Sequence, residues 1–199
     1  QDLYIERFNT DKPGCYLYQD QWLQAEVFHE KIAVKGGQDV DMDVWVTRHG
    51  PVISGGPEQG AGLAFKYTAT DQPSAWPDIL WQMLRAKDAD QLVESQREWV
   101  DPCNNLLLAD VHGTAGYLCR GRIPVRSRLN GWLPVPGWTG EHEWQGQIPF
   151  EELPRSINPA EGYVATANNR PVGDDYPHYI GVDFVPEFRV KRVTEGLLS

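Results

Sequence analysis

Val40-Asp-Met-Asp-Val-Trp-Val-Thr-Arg-His-Gly-Pro-Val-Ile53 is where the fold of this 199-residue chain is decided. Val40, Met42, Val44 and Val46 alternate with Asp39, Asp41, Asp43 and Trp45. A period of two places one set on each side of a strand, which predicts a half-buried strand with an acidic outer side. Strands that are clean on one side and polar on the other belong to antiparallel sheets. Thr47 to Ile53 then reads as a break followed by a short strand.

Working outward, Gln1 to Phe8 alternates in the same way. Lys12-Pro13-Gly14 is a turn, and Cys15–Tyr18 with Trp22–Phe28 predicts a hairpin closed near Gln19-Asp20. Lys31–Lys35 reads as a further strand ended by Gly36-Gly37, Gly55–Gly62 as a loop, and Leu63–Tyr67 as a strand. A helical part follows. Ser74 is placed to cap a helix with Ile79, Leu80, Met83 and Leu84 on one side. Asp88 and Gln91 have capping-box spacing for a second helix through Trp99, stopped by Asp101-Pro102. Leu106–Ala109 and Ala115–Cys119 predict a hairpin across Asp110–Thr114. Arg120–Gly162 is rich in Gly, Pro and Trp with little periodicity. A last helix is predicted over about Val185–Leu198, carrying Arg189 and Arg192. Strands, then helices, then strands argue for an α+β fold with a mainly antiparallel sheet.

Composition narrows the function. The formal net charge is −10, with the acidic residues dispersed as on a solubilising surface; phosphate binding needs clustered Lys and Arg, so nucleic acid is not an expected partner. No apolar run approaches the length that spans a membrane. Cys15, Cys103 and Cys119 have no metal spacing, and an odd number cannot make a complete disulfide framework. His29, His112, His142 and His178 show no ligand spacing either.

Three stretches carry candidate chemistry. In Gly162-Tyr-Val-Ala-Thr-Ala-Asn-Asn-Arg-Pro171, Tyr163, Val164 and Thr166 favour a strand. Asn168-Asn169 suits a sharp turn, because Asn tolerates positive φ and hydrogen-bonds its own backbone. An amide NH2 fixed there can donate to an oxyanion, though turn chemistry alone also accounts for the pair. Arg48-His49-Gly50 matches the nucleophile motif of histidine phosphatases. Those place it on the first strand of a parallel sheet, whereas here it follows hairpin strands and precedes Pro51, so His49 reads as structural. Trp132, Trp138 and Trp144 could line a carbohydrate- or protein-binding platform, or serve as the local core of an irregular segment.

Several segments in order resemble one family: Asp2-Leu3-Tyr4-x-Glu6-Arg7, Thr47-Arg48-His49-Gly50-Pro51-Val52, Asn105-Leu106-Leu107-x-Ala109-Asp110, Gly121-x-Ile123-Pro124-x-Arg126, Leu133-Pro134-Val135-Pro136-Gly137, Ile148-Pro149-Phe150-Glu151, Asn158-Pro159-x-x-Gly162-Tyr163 and Ala167-Asn168-Asn169-x-Pro171. The chain is similar to the β-chain of the penicillin acylase family of N-terminal nucleophile amidases. The resemblance implies an αββα sandwich, of which residues 1–199 are a single β-chain fragment cleaved from a precursor. It implies hydrolysis of a linear amide through an N-terminal Ser whose own α-amine is the base. Asn168 then falls on the side-chain oxyanion donor and Arg189 on the Arg that orients the site. The Ser would lie in a segment preceding Gln1, so this chain alone is expected to be inactive. Its implied partners are that segment, an α-chain and a small N-acyl substrate; its implied location is periplasmic or secreted. The family's calcium site would draw on the Asp2 carboxylate and the Gln1 carbonyl. A later Asp ligand has no counterpart among Tyr176–Gly181, so calcium is expected of the full-length parent and not of this chain alone.

Overall fold

The computed structural model describes residues 1–199. In chain order its strands and helices are β1 (Asp2–Arg7), β2 (Cys15–Tyr18), β3 (Gln21–Gln24), β4 (Glu26–Ile32), β5 (Val40–Thr47), β6 (Gly50–Gly56), β7 (Ala61–Lys66), α1 (Thr68–Asp71), α2 (Trp76–Arg85), α3 (Ala89–Glu94), β8 (Asn104–Ala109), β9 (Ala115–Arg120), β10 (Val135–Pro136), β11 (Arg155–Ile157) and α4 (Phe188–Leu198). The fold is mixed α and β with mainly antiparallel sheets. The chain forms two compact units, residues 1–71 with 126–144 and residues 72–125 with 145–199. No helix is long and apolar enough to cross a membrane.

The first unit holds a six-stranded sheet in the order β10-β1-β7-β6-β5-β4. Only the short β10–β1 pairing is parallel. The β2–β3 hairpin turns through Gln19 and Asp20, both at positive φ, as a tight two-residue turn requires. β1 alternates as expected, but its buried side is Asp2, Tyr4 and Glu6. Two carboxylates on the inner side of a strand need buried partners, and they find them (below). Tyr4, Ala64 and Val135 make one small apolar cluster; Phe8, Tyr16 and Ala25 make another.

β5 departs from the sequence expectation. Val40 and Met42 are 49% and 46% exposed, as are Phe28 and Ile32 on β4 at 50% each. The registers explain it. β4 and β5 pair along their whole length, from Glu26↔Val46 to Ile32↔Val40. β6 meets β5 only at Val46↔Pro51 and Thr47↔Gly50. The hairpin therefore runs past the sheet, and only its last residues, Val44–Thr47, are covered. A separate strand over Lys31–Lys35 does not form, because β4 is one continuous strand ending at Ile32.

The second unit holds the three-stranded antiparallel sheet β11-β9-β8 and three helices. Its core is Leu118, Ile123, Ile148 and Leu153. The predicted hairpin closes on Asp110, whose Oδ1 accepts from the backbone N–H of His112 and Thr114 at 2.9 Å each. Asp88 caps α3 by accepting from Gln91 N–H at 2.8 Å, as the spacing predicted. α3 stops at Glu94, short of Trp99: Ser95 donates back to the Leu92 carbonyl at 2.7 Å, and turns follow. Ser74 does not cap α2. Ala75 holds the cap position and Pro77 sits in the first turn, where its fixed φ and missing N–H cost nothing. Of the predicted apolar side of α2, Ile79 is buried while Leu80 and Leu84 are exposed. Tyr163–Thr166 is not a strand, since no ladder forms from residue 163 to residue 171.

Candidate active site

The Asn168-Asn169 pair makes the turn that its residue type predicts. Asn168 sits at φ 62°, a left-handed conformation that Asn adopts at low cost. Its carbonyl accepts from Val185 N–H at 2.8 Å. Its side-chain Oδ1 accepts from Arg189 Nη1 at 3.2 Å. Arg189 is the second residue of α4, so the two candidates named from the sequence meet. The Asn168 residue is exposed, and its Nδ2 makes no hydrogen bond within the chain. A guanidinium on Oδ1 fixes which end of the amide is Oδ1 and polarises the group, which strengthens Nδ2–H as a donor. Asn169 is engaged differently. Its Oδ1 accepts from Ala167 N–H at 3.0 Å, and its Nδ2 donates to the Arg170 carbonyl at 3.2 Å. Both ends of that amide serve the turn.

A cavity of about 310 Å³ lies beside this segment, lined by Tyr117, Tyr163, Thr166, Asn169 and Arg170 among others. Behind it runs a chain of side-chain hydrogen bonds. Tyr117 O–H donates to Asn105 Oδ1 at 2.9 Å, and Asn105 Nδ2 donates to Thr166 Oγ1 at 2.7 Å. Burial, then the neighbouring Cys119 thiol, pushes the Tyr117 phenol well above its ordinary range, so it stays a neutral donor.

In the first unit His49 is wholly buried. Its Nδ1 faces Glu6 Oε1 and its Nε2 faces Glu143 Oε1, each at 2.8 Å. Only the imidazolium can donate at both nitrogens. Burial pushes the ring toward the neutral form, but the hydrogen bonds to Glu143 and Glu6 and their charges outweigh it and raise its pKa. Tyr4 stacks on the ring at 4.0 Å, and Thr47 donates to Glu6 at 2.6 Å. A side chain at Gly137 would put its Cβ 2.6 Å from Glu6 Oε2 and 3.1 Å from the His49 ring, so it would have to displace the cluster. With no exposed face and both nitrogens occupied, His49 has no means of attacking a phosphate, and its structural reading holds. Trp138 lies over Arg7 at 3.7 Å, and Trp144 donates to Asp2 Oδ2 at 2.6 Å. Of the three Trp residues in the irregular segment only Trp132 is largely exposed, at 68%, so they build no platform.

The comparisons with known proteins bear on the whole chain. The family model for penicillin amidase matches residues 1–199. The chain belongs to the penicillin amidase family. Penicillin acylase 2 proenzyme of Pseudomonas sp. (strain SE83) is 42% identical over 198 residues, covering 100% of this chain and 26% of that protein. Acyl-homoserine lactone acylase QuiP of Pseudomonas syringae pv. syringae (strain B728a) is 28% identical, covering 98% of this chain and 24% of that protein. A solved thermostable penicillin G acylase from Alcaligenes faecalis superposes with a TM-score of 0.78 at 26% identity, over 100% of this chain and 36% of that one. The likeness confirms the N-terminal nucleophile hydrolase fold that the motifs implied. The chain spans about a quarter of the length of the curated relatives it matches.

Membership in the penicillin amidase family raises the question of calcium at Asp2. The residues of this chain do not by themselves complete a site for it. Asp2 is buried, its Oδ1 lies 3.2 Å from Arg126 Nη1, and its Oδ2 takes the Trp144 indole N–H. Asn130 Nδ2 approaches the same Oδ2 at 3.5 Å. Arg126 offsets the Asp2 charge, Asp2 Oδ1 and Asn130 Oδ1 accept no hydrogen bond, and no group of three His, Cys, Asp or Glu residues is placed to hold a metal ion. Calcium needs six to eight oxygen ligands. The residues that sequence reasoning passed over are Glu6, Glu143, Asn105, Thr166 and Tyr117. Glu6 had a signal: it falls on the inner side of an alternating strand with Tyr4. Glu143 and Thr166 had none, since their partners are distant in the chain.

Proposed function

We propose that the parent of this chain is an amide hydrolase of the penicillin amidase type that cleaves a linear amide into an acid and an amine. Candidate substrates are a penicillin or cephalosporin side chain, an acyl-homoserine lactone or a related N-acyl compound. The observation that carries the reading is the Asn168–Arg189 pair: an exposed amide, oriented by a guanidinium at Oδ1, with Nδ2–H left to donate.

The chemistry requires such a group. In the proposed reaction a hydroxyl attacks the amide carbonyl carbon, its proton passes to the attacking residue's own α-amine, and the carbonyl oxygen becomes an oxyanion. Nδ2 of Asn168 donates to that oxygen in a geometry set before the substrate arrives. Collapse then expels the amine, which takes the proton, and water releases the acid from the acyl-enzyme. The attacking N-terminal Ser, an α-chain and the rest of the β-chain are supplied by the parent, in the periplasm or outside the cell. The 199 residues alone are inactive.

Mass spectrometry of the native product and turnover of a chromogenic phenylacetyl anilide test this together. A precursor cut to expose a Ser, with turnover, is the expected result. An uncut, inactive product or turnover by residues 1–199 alone overturns it.

A further inference from the structure

Residues 163–171 carry Asn168 but join no sheet. A segment without a ladder is held by whatever side chains reach it. Here the tie to the three-stranded sheet is the hydrogen bond from Asn105, on β8, to Thr166, two residues before Asn168. We propose that Asn105 and Thr166 are positioning residues for the Asn168 amide, which the fold would otherwise leave on a loosely held strip of backbone. The inference rests on the oxyanion role proposed for Asn168.

The geometry supports it at each link. Asn105 sits in a regular strand, paired with Cys119 of β9, so its base is rigid. Its Oδ1 takes the hydroxyl of Tyr117, a residue only 8% exposed on that neighbouring strand. Its Nδ2 reaches out to Thr166 at 2.7 Å. Ala167 between Thr166 and Asn168 is buried. Past the turn, Val185 and Arg189 hold Asn168 from the other side. Asn168 is thus fixed from two directions, by the sheet through Thr166 and by the start of α4 through Arg189. An oxyanion donor must hold its place within a fraction of an ångström, and misplacement by about 1 Å from a remote change can cost about 100-fold in rate. Asn105 makes no hydrogen bond to Asn168, and neither it nor Thr166 is asked to touch substrate.

The test uses the full-length parent. Thr166→Val keeps the shape and removes the hydroxyl; Asn105→Leu removes the same bond from the sheet side. Each is expected to lower kcat by roughly 10-fold to 100-fold, with KM changed little and the melting temperature within a few degrees. Thr166→Ser, which restores the hydroxyl, is expected to recover most of the loss. In an Asn168→Ala background Thr166→Val is expected to add little, because the group it positions is gone. Near-normal kcat in Thr166→Val while Asn168→Ala is impaired overturns the positioning role alone. So does a full additional loss in the double variant, or no recovery in Thr166→Ser. Unimpaired kcat in Asn168→Ala overturns the oxyanion reading and this inference with it. If Thr166→Val does not fold, the comparison of Asn105→Leu with and without Asn168→Ala carries the same decision.

Discussion

His49 and Asn168 are both polar side chains gripped by charged neighbours, and the chain uses them in opposite ways. His49 lies in the sheet of the first unit with no exposure, and each of its nitrogens is on a carboxylate. Asn168 lies at the surface of the second unit with one end of its amide held by Arg189 and the other end open. A closed set of partners fixes a fold, since nothing is left over to meet a substrate. An open donor on a held side chain is what a reaction needs, and it also explains why Asn169, with both ends of its amide used in the turn, is the lesser candidate. On the proposed function, the group that acts is the one whose hydrogen bonding its surroundings leave incomplete.

The sharpest way to break this contrast is to remove the imidazole. His49→Leu strips the buried Glu6 of its imidazolium partner and leaves Glu143 to Arg48 at 3.4 Å and Lys66 at 3.8 Å. Breaking a buried ion pair by deleting one partner costs about 3–5 kcal/mol. The expected result is a lower urea midpoint for the parent or the chain. A midpoint shift worth under about 1 kcal/mol would show that His49 is neutral there and that its bonds to the carboxylates are weak.

The next effect is kinetic. Asn168→Ala in the parent is expected to lower kcat by about 10²–10³, the loss associated with one oxyanion donor, and to leave KM and the melting temperature nearly unchanged. Asn169→Ala is expected to do the reverse, lowering the melting temperature through the lost bonds to Ala167 and Arg170. An exchange of these outcomes moves the donor by one residue, and the cavity on the Asn169 side would then become the substrate's approach.

A smaller effect comes from pH, because only protons move. The His49 pKa is raised above its ordinary 6.5: burial lowers it, but the bonds to Glu143 and Glu6 raise it more. A raised imidazole pKa contributes stability that is complete below pH 6.5 and is lost as pH rises through the higher folded value. The Glu143 pKa is lowered below its ordinary 4.5: burial raises it, but the hydrogen bond from His49 and the charges of His49, Arg48 and Lys66 lower it more. That contribution is present above pH 4.5 and is lost as pH falls through the lower folded value. The cluster is therefore most stabilising between about 4.5 and 6.5. Urea midpoints measured from pH 4 to 9 should fall on the alkaline limb, and His49→Gln should flatten that limb. An unchanged alkaline limb in the variant would assign it to other groups.

Much of this was legible from the residues, and the failures share a cause. Period-two alternation found β1 and β5, and turn chemistry found the Gln19-Asp20, Asp110–Thr114 and Asn168-Asn169 bends, because both signals are local. The burial of Val40 and Met42 was misjudged because it depends on how far β6 extends along β5, which no window of sequence contains. Tyr163–Thr166 has strand propensity but joins no ladder, so propensity lost to context. Asn168 came from an ordered motif and Arg189 from the family resemblance that the motifs carried, and the structure brings them together at 3.2 Å. Asn105, Thr166 and Glu143 act on residues 61, 61 and 94 positions away, a range at which composition and spacing are silent.

The smallest expected effect sharpens the contrast from the other side, at Asp2. Like Glu6 it is a buried carboxylate on β1, and like Glu6 it is matched by a cation of this chain, here Arg126 at 3.2 Å. A metal would have to displace that guanidinium and the Trp144 indole N–H, then recruit further oxygens that the neighbouring Asn130 and Trp144 do not supply in number. Binding to the folded state alone would stabilise the chain by about 4 kcal/mol at a ligand concentration 1,000 times Kd, so a micromolar site would be plain at millimolar calcium. We expect calorimetric titration of calcium into residues 1–199, shown to be folded by circular dichroism, to give no saturable heat. Melting temperatures with millimolar calcium and with chelator should coincide. A rise of several degrees with calcium would mean that the Asp2–Arg126 pair opens. It would then be an exchangeable site instead of a closed one, and the division between sealed polar groups in the first unit and an open one in the second would fail at Asp2.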